Sequence, residues 1–142
     1  MLTEDIVVLF ITMPPNTANP FSVRLEDEFI YIDFFGEFSV EAGKRCIDEM
    51  INAAKENNRA KILLDLRKLS GQMSMADRFQ VVDYGTKSLG TIAKIAFVAR
   101  EEVVMPGKLI ETVAFNRGMV LKIFFNPDDA KQWLLEKPSA KV

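Results

Sequence analysis

The chain has 142 residues, of which 49% are apolar and 27% charged, a composition that suits one globular domain with its own core. Its net charge of -2 gives no long-range attraction for phosphate backbones, which argues against nucleic-acid binding. The absence of histidine removes the commonest acid–base catalyst and metal ligand near neutral pH. The single cysteine, Cys46, cannot form an internal disulfide, so we expect a buried thiol in a cytoplasmic protein. We also expect no cofactor.

The first 20 residues differ in pattern from the rest of the chain. Residues 6–11, IVVLFI, follow acidic residues and are too few to span a membrane, so we expect neither a signal peptide nor a membrane span. Residues 13–20 contain three prolines, which interrupt any helix or central strand. We predict an N-terminal arm or edge strand over 1–20, one domain over 21–138 and a disordered tail over 139–142. An apolar strand on such a tether also suits exchange with a second copy, which would give a homodimer.

The main domain begins with a strand pair and a helix. Residues 21–34 contain two strand candidates separated by a charged turn at 26–28, which predicts an antiparallel hairpin. From Ser39 onward the apolar residues recur every three or four positions, which predicts an amphipathic helix with Ser39 as its N-cap. Residues 61–66, KILLDL, are almost wholly apolar, as in a central strand covered on both faces.

The next two elements are a helix and a strand. Apolar spacing predicts a helix over 75–89 that buries Met75, Phe79 and Val82. Residues 91–99, TIAKIAFVA, read as a strand. Strands joined through helices require crossover connections, which are right-handed in nearly all known proteins, so this order favours parallel pairing.

The alternation then repeats to the end of the domain. Pro106 suits the first turn of a helix and Gly118 its C-terminal end, and residues 119–125 form a strand candidate. Asn126 and Pro127 begin the last helix as N-cap and first residue. The predicted fold is therefore an α/β domain with a mixed, mostly parallel sheet, an antiparallel start and four helices packed on the sheet.

The motifs of nucleotide-binding enzymes are incomplete in this chain. Residues 85–90, GTKSLG, have a threonine where a phosphate-binding loop needs a glycine before Lys87, and no Gly-x-Gly-x-x-Gly occurs. Two carboxylates, Asp33 and Asp65, lie near predicted strand ends, where α/β sheets often place active sites. We interpret Asp33 as a solvent-facing residue of an edge strand and Asp65 as an acceptor for N–H groups of the following turn. An enzyme that uses either residue is the weakest hypothesis, because neither a substrate nor a base can be named.

Eleven phenylalanines and seven methionines form a large apolar inventory. Most of them are expected in the core, because a sheet covered by helices needs many large apolar side chains. The alternative is a pocket for an apolar ligand such as a lipid. The candidate pocket residues are Phe35, Phe38, Met75, Phe79, Met105 and Phe115.

Ser74 immediately precedes the helix predicted over 75–89, and Asp77 follows it three positions later. The serine hydroxyl can accept a hydrogen bond from an N–H group of the first turn while the carboxylate reaches back, which is a variant of the capping box. Such a cap contributes about 1 kcal/mol. Helix capping alone is therefore a sufficient reason for a serine here.

The stretch DLRKLSGQMSMADRF, residues 65–79, resembles the corresponding part of a STAS domain, the SpoIIAA-like fold of bacterial anti-anti-sigma factors. The order of elements over 21–137 agrees, and the chain is most similar to a divergent branch of stand-alone bacterial proteins that shares its architecture with lipid-binding CRAL-TRIO domains. The resemblance implies a non-catalytic regulatory module in which Ser74 is the phosphorylatable serine. Met73, Met75 and Ala76 stand where the family has aspartate, serine and glycine, and these apolar flanks favour a different partner.

From these observations we expect another protein to bind at the turn and helix start around Ser74. Ser74 is the candidate phosphorylation or switch residue within this surface. The predicted partner-binding residues are Gly71, Gln72, Met73, Ser74, Met75, Asp77 and Arg78.

Overall fold

The structure, a computed structural model, describes residues 20–71, 74–88, 92, 94–100 and 120–136. Along these residues, groups of two or three strands are each followed by one helix. The strands are β1 (Phe21–Leu25), β2 (Ile30–Phe34), β3 (Gly36–Glu37), β4 (Lys61–Asp65), β5 (Leu69–Ser70), β6 (Lys94–Val98) and β7 (Leu121–Phe124), and the helices are α1 (Val40–Asn57), α2 (Met75–Ser88) and α3 (Pro127–Leu135).

Five of these strands form one mixed sheet in the order β1-β2-β4-β6-β7. The hairpin of β1 and β2 is antiparallel, and its turn is closed by a 2.9 Å hydrogen bond from the Glu26 amide to the Phe29 carbonyl. The other three pairings are parallel. A second, two-stranded parallel ribbon joins β3 to β5, with Gly36 opposite Leu69 and Glu37 opposite Ser70. The antiparallel start and the mostly parallel sheet predicted from the sequence are confirmed.

Polar side chains cap two of the helices as predicted. The Ser39 hydroxyl accepts a 3.0 Å hydrogen bond from the Ala42 amide at the start of α1. Asn126 accepts a 2.9 Å bond from the Asp129 amide at the start of α3, where Pro127 occupies the first turn. Each cap satisfies an N–H group that has no partner within the helix.

The sheet separates two apolar layers. On one face, Ile30, Ile32 and Phe34 pack with residues of α1, among them Cys46, whose thiol pKa is raised by burial. The other face packs against α3, and its buried residues are Phe29, Tyr31, Leu63, Ala96, Val98, Ala130 and Leu134. Strand β4 contributes to both layers, which explains its almost wholly apolar sequence.

Helix α2 packs chiefly against α1, and Gly85 is its only buried residue in the described part of the chain. The approach of the two helices is close, because a Cβ atom added at Gly43 of α1 would lie 2.8 Å from Cγ2 of Val81. The prediction that α2 buries Met75, Phe79 and Val82 is wrong, since Met75 and Phe79 are 40% and 38% exposed and Val82 is only partly buried. Apolar spacing identifies a stripe along α2, but the surrounding elements leave Met75 and Phe79 of this stripe exposed.

Three helices lie in the described part of the chain. The fourth predicted helix, between Pro106 and Gly118, falls outside the described residues, as do most of the predicted N-terminal arm and the predicted tail. Among the helices that the structure describes, none is long and apolar enough to cross a membrane.

Candidate functional site

The ribbon of β3 and β5 carries the chain from the sheet toward Ser74. The Ser70 hydroxyl donates a 3.1 Å hydrogen bond to the Gly36 carbonyl, and the Phe38 amide donates a 2.9 Å bond to the Ser70 carbonyl. Gly71 then adopts a φ of +92°, and a Cβ atom there would lie 3.0 Å from Cγ of Glu37. The turn therefore needs glycine both for its backbone conformation and for space.

Ser74 is exposed at the amino end of α2. Its hydroxyl accepts a 3.1 Å hydrogen bond from the Asp77 amide, and its carbonyl accepts a 3.0 Å bond from the Arg78 amide. The predicted role of Ser74 as an N-cap is confirmed. Met75 and Phe79 lie one helical turn apart on the surface that follows it.

The structure brings most of the predicted partner-binding residues together at this helix start. Gly71 is exposed at the end of the ribbon, while the side chains of Asp77 and Arg78 are partly buried in the first turn of α2. Burial lowers the pKa of the Arg78 guanidinium below its ordinary value. Gln72 and Met73 lie outside the described residues. The assignment of the whole set to partner binding stays a prediction.

The structure places the described candidates for an apolar pocket in different surroundings. Nζ of Lys68 lies 4.9 Å from the ring centroid of Phe35. The ring of Phe38 instead lies beside α1, 3.2 Å from the position of a Cβ atom at Gly43. Met75 and Phe79 are exposed on α2. The remaining two candidates, Met105 and Phe115, lie outside the described residues.

A buried polar network lies at the carboxyl end of β4, just before the turn that leads to β5. Asp65 is 1% exposed, and its Oδ2 accepts a 2.7 Å hydrogen bond from the Tyr31 hydroxyl. The Arg67 guanidinium donates from Nε to Oδ1 at 3.0 Å and from Nη2 to Oδ2 at 2.7 Å. The Arg67 amide donates a further 3.0 Å bond to Oδ1. Each carboxylate oxygen therefore accepts two hydrogen bonds, and one residue, Arg67, supplies three of the four.

The pKa of Asp65 and that of the neighbouring Asp33 are shifted in opposite directions. Burial by itself raises the pKa of Asp65, but the hydrogen bonds from Arg67 and Tyr31 outweigh it and hold that pKa below its ordinary value. Burial raises the pKa of Asp33, although Nζ of Lys68 lies 3.8 Å from its carboxylate. Burial and the hydrogen bond to Asp65 both raise the pKa of Tyr31. Asp65 is thus held as an anion, and Tyr31 keeps its proton.

Strand register brings Asp33 and Asp65 to adjacent positions, which their separation in sequence did not reveal. The interpretation of Asp33 as an edge-strand residue is wrong, because β2 lies between β1 and β4. The interpretation of Asp65 as an acceptor for the following turn is confirmed by the Arg67 amide. Sequence reasoning missed Tyr31 and Arg67, although an arginine two residues after a strand-ending aspartate was a usable signal.

The chemistry of this cluster is ion pairing and hydrogen bonding. A bidentate contact between arginine and a carboxylate fixes geometry as well as charge. Within the part of the chain that the structure describes, no group of three His, Cys, Asp or Glu side chains is placed to hold a metal ion. Two features therefore stand out in this part of the chain: a polar network at the end of β4 and an exposed apolar helix start after Ser74.

Comparison with known proteins agrees with this architecture. The SpoIIAA-like family model matches residues 29–135 of the sequence. The chain belongs to the SpoIIAA-like family. The resemblance to a STAS domain drawn from residues 65–79 is therefore confirmed. None of the curated proteins compared with this SpoIIAA-like chain matches it significantly.

Solved structures of the same fold include two with broad coverage. An uncharacterized protein with a SpoIIAA-like fold from Shewanella loihica PV-4 is 16% identical with a TM-score of 0.55, over 80% of this chain and 91% of that one. An anti-sigma factor antagonist from Mycobacterium paratuberculosis is 15% identical with a TM-score of 0.56, over 82% and 93%. At these identities the likeness concerns the fold.

Proposed function

We propose that this SpoIIAA-like protein is a cytoplasmic, non-catalytic regulatory module that binds a partner protein through the turn and helix start around Ser74. The observation that carries the proposal is the exposure of Met75 and Phe79 directly after the capped serine. Side chains four positions apart lie on one face of a helix, so these two form a continuous apolar patch. Helix faces of this kind are a recurring means of protein recognition.

Two further observations support this assignment. Two contacts that join α2 to α1, at Val81 and Tyr84, lie at the middle of the helix and beyond it. Met75 and Phe79, in its first turns, are exposed. Methionine is flexible and polarizable, which suits it to contacts with a protein surface. The similar structure of an anti-sigma factor antagonist is consistent with regulation through protein binding on this fold.

Ser74 is the proposed switch within this surface. A phosphate there would gain from the positive end of α2, but it would add negative charge beside Asp77 and next to the apolar side chain of Met75. Desolvating that charge against an apolar partner is unfavourable. We therefore expect phosphorylation, or its mimic Ser74→Asp, to weaken partner binding. Aspartate is itself a good N-cap, so the mimic should retain the helix start.

The experiment that tests this surface uses two matched substitutions. Met75→Glu and Leu135→Glu each place a carboxylate at a similarly exposed apolar position, because Met75 is 40% and Leu135 is 42% exposed. The tagged wild type and both variants are used to recover partners from a native lysate, and the affinity of any recovered partner is then measured with purified proteins. We expect Met75→Glu to lower that affinity by about tenfold or more, as for loss of an interface anchor, and Leu135→Glu to leave it unchanged. Equal affinities for all three proteins would contradict the assignment.

The alternative, a carrier or sensor of an apolar ligand, has less support. Of its four described candidates, Phe35 lies beside Lys68 and Phe38 beside α1, and Met75 and Phe79 are exposed rather than enclosed. Native mass spectrometry of the freshly purified protein separates the two functions. A lipid retained by the wild type and lost from Phe38→Ala would favour the carrier over the docking module.

A further inference from the structure

The position of the first turn of α2 depends on something other than core packing. Three residues of this helix that contact α1 or are buried, Val81, Tyr84 and Gly85, lie from its middle onward. Met75 and Phe79 are exposed. The chain that enters the helix from its amino-terminal side therefore contributes to the position of the docking surface.

That entering chain is anchored at the end of β4 by Asp65. The Arg67 guanidinium and amide both bind its carboxylate, so the backbone is held in a turn by the side chain two residues earlier. The Leu66 amide donates a 2.7 Å hydrogen bond to the Val98 carbonyl, and the Leu69 amide donates a 3.1 Å bond to the Leu66 carbonyl. These bonds determine the direction in which β5 leaves the sheet.

The short ribbon holds β5, which ends shortly before Ser74. Strand β5 pairs with β3, and two hydrogen bonds, from Ser70 to Gly36 and from Phe38 to Ser70, secure this pairing. Only Gly71 and two further residues separate the ribbon from Ser74. We therefore expect a change in the turn at Asp65 to affect the start of α2.

We propose that Asp65, Arg67 and Tyr31 are positioning residues for the docking surface around Ser74. They hold the turn and ribbon that set the orientation of Ser74 and Met75. Tyr31 completes the network, because its hydroxyl donates to the oxygen of Asp65 that Nη2 of Arg67 also contacts. The ion pair between buried Asp65 and Arg67 thus has a role beyond stability, namely to present the surface in one orientation. This inference rests on the proposed function of that surface.

The test compares two tyrosine hydroxyls that each donate to an aspartate. Tyr31→Phe removes the 2.7 Å bond to Asp65, and the matched control Tyr84→Phe removes the 2.6 Å bond to Asp48 between α2 and α1. Both variants keep the aromatic ring, so packing is conserved. Amide hydrogen exchange measured by NMR reports the opening of individual hydrogen bonds.

Three amides report the ribbon and the helix start: Phe38, Asp77 and Arg78. The Gly43 amide, bonded to the Ser39 carbonyl at 2.9 Å, reports α1 and serves as the reference. We expect Tyr31→Phe to speed exchange at the three reporters by about tenfold, the size expected for loss of a hydrogen bond to a charged group, and to leave Gly43 unchanged. Tyr84→Phe should leave the three reporters unchanged.

Three results would overturn the inference: unchanged exchange at the reporters in Tyr31→Phe, an equal increase at the Gly43 amide, or the same response in Tyr84→Phe. An equal increase at Gly43 would mean that the network only stabilises the fold. Arg67→Lys provides a second variant at a partly exposed side chain, because lysine keeps the charge but loses the fork of two hydrogen bonds. We expect it to change the same three amides. Exchange is measured without a partner, so failure of the proposed function in the binding experiment would be seen separately.

Discussion

Helices α1 and α2 begin in the same way but differ in how many of their residues are buried. In each, a serine hydroxyl accepts a hydrogen bond from the amide three residues later, at 3.0 Å for Ser39 and 3.1 Å for Ser74. Helix α1 then buries six residues under the sheet, whereas only Gly85 of α2 is buried. A capped start indicates where a helix begins, but it does not indicate how much of that helix the core will cover.

The difference follows from what each helix rests on. Helix α1 lies on the sheet and shares its apolar layer, while α2 rests mainly on α1, with Val81 over Gly43 and the Tyr84 hydroxyl bonded to Asp48. A helix placed in this outer position keeps large side chains available at its surface. In this protein those side chains follow the proposed switch residue.

The largest expected effect comes from one methionine in each helix. Met50 of α1 is 1% exposed and Met75 of α2 is 40% exposed. Met50→Ala should lower the free energy of unfolding by about 3 kcal/mol, because it removes buried surface and leaves a cavity. Met75→Ala should lower it by less than about 0.5 kcal/mol, as for other exposed substitutions. Urea unfolding followed by circular dichroism measures both losses. Equal losses would contradict the difference in burial between the two methionines.

The second effect concerns Asp65, which anchors the turn between β4 and β5. Asp65→Asn should lower the free energy of unfolding by about 2 kcal/mol at neutral pH, because a buried charge-assisted network loses its anion. Since the folded protein holds the pKa of Asp65 below its ordinary value of 3.8, this contribution is present above that value and is lost as pH falls through the folded pKa. The difference between wild type and variant should therefore be constant near neutrality and shrink below pH 3.8.

Asp33→Asn is the control for this prediction, because Asp33 is the register partner of Asp65 and its pKa is raised by burial instead. Its ionised form is not favoured by folding, so its replacement should lower the stability at neutral pH by less than about 0.5 kcal/mol. Urea titrations from pH 7 to pH 3 compare the two variants. A larger loss for Asp33→Asn would show that the wrong carboxylate had been identified as the anchor.

The smallest effect tests whether the two caps are equivalent. Ser39→Ala and Ser74→Ala should each lower the free energy of unfolding by about 1 kcal/mol, whereas Ser74→Asp should leave it nearly unchanged. Thermal and urea unfolding of the three variants measure this. If Ser74→Ala costs nothing while Ser39→Ala costs the full amount, then the first turn of α2 unfolds independently of the rest, and Ser74 is there for a reason other than capping.

Local signals predicted the elements well because they act within a few residues. Ser39 and Asn126 were identified as caps from their own side chains and the following turn, and both make the expected hydrogen bonds. The hairpin at 26–28 and the doubly covered strand β4 were likewise readable from patterns a few residues long.

The candidate site was only partly predictable. Ser74 was placed correctly because its cap is a local interaction. The network around Asp65 was not, because Tyr31 lies 34 positions away and reaches it only through the pairing of β2 with β4. The apolar pocket candidates were chosen by residue type, and no local rule distinguishes a phenylalanine beside α1 from one beside a lysine.

By itself, the sequence determined the order of the five main-sheet strands and the three described helices, the helix caps and the membership of the SpoIIAA-like family. These depend on side chains acting over one or two turns and on a motif read in order. Only the tertiary structure decided that α2 lies on α1 rather than on the sheet, and hence that Met75 and Phe79 face solvent. The physical reason is that periodicity identifies an apolar face, while the area that covers this face is set by neighbours distant in the chain.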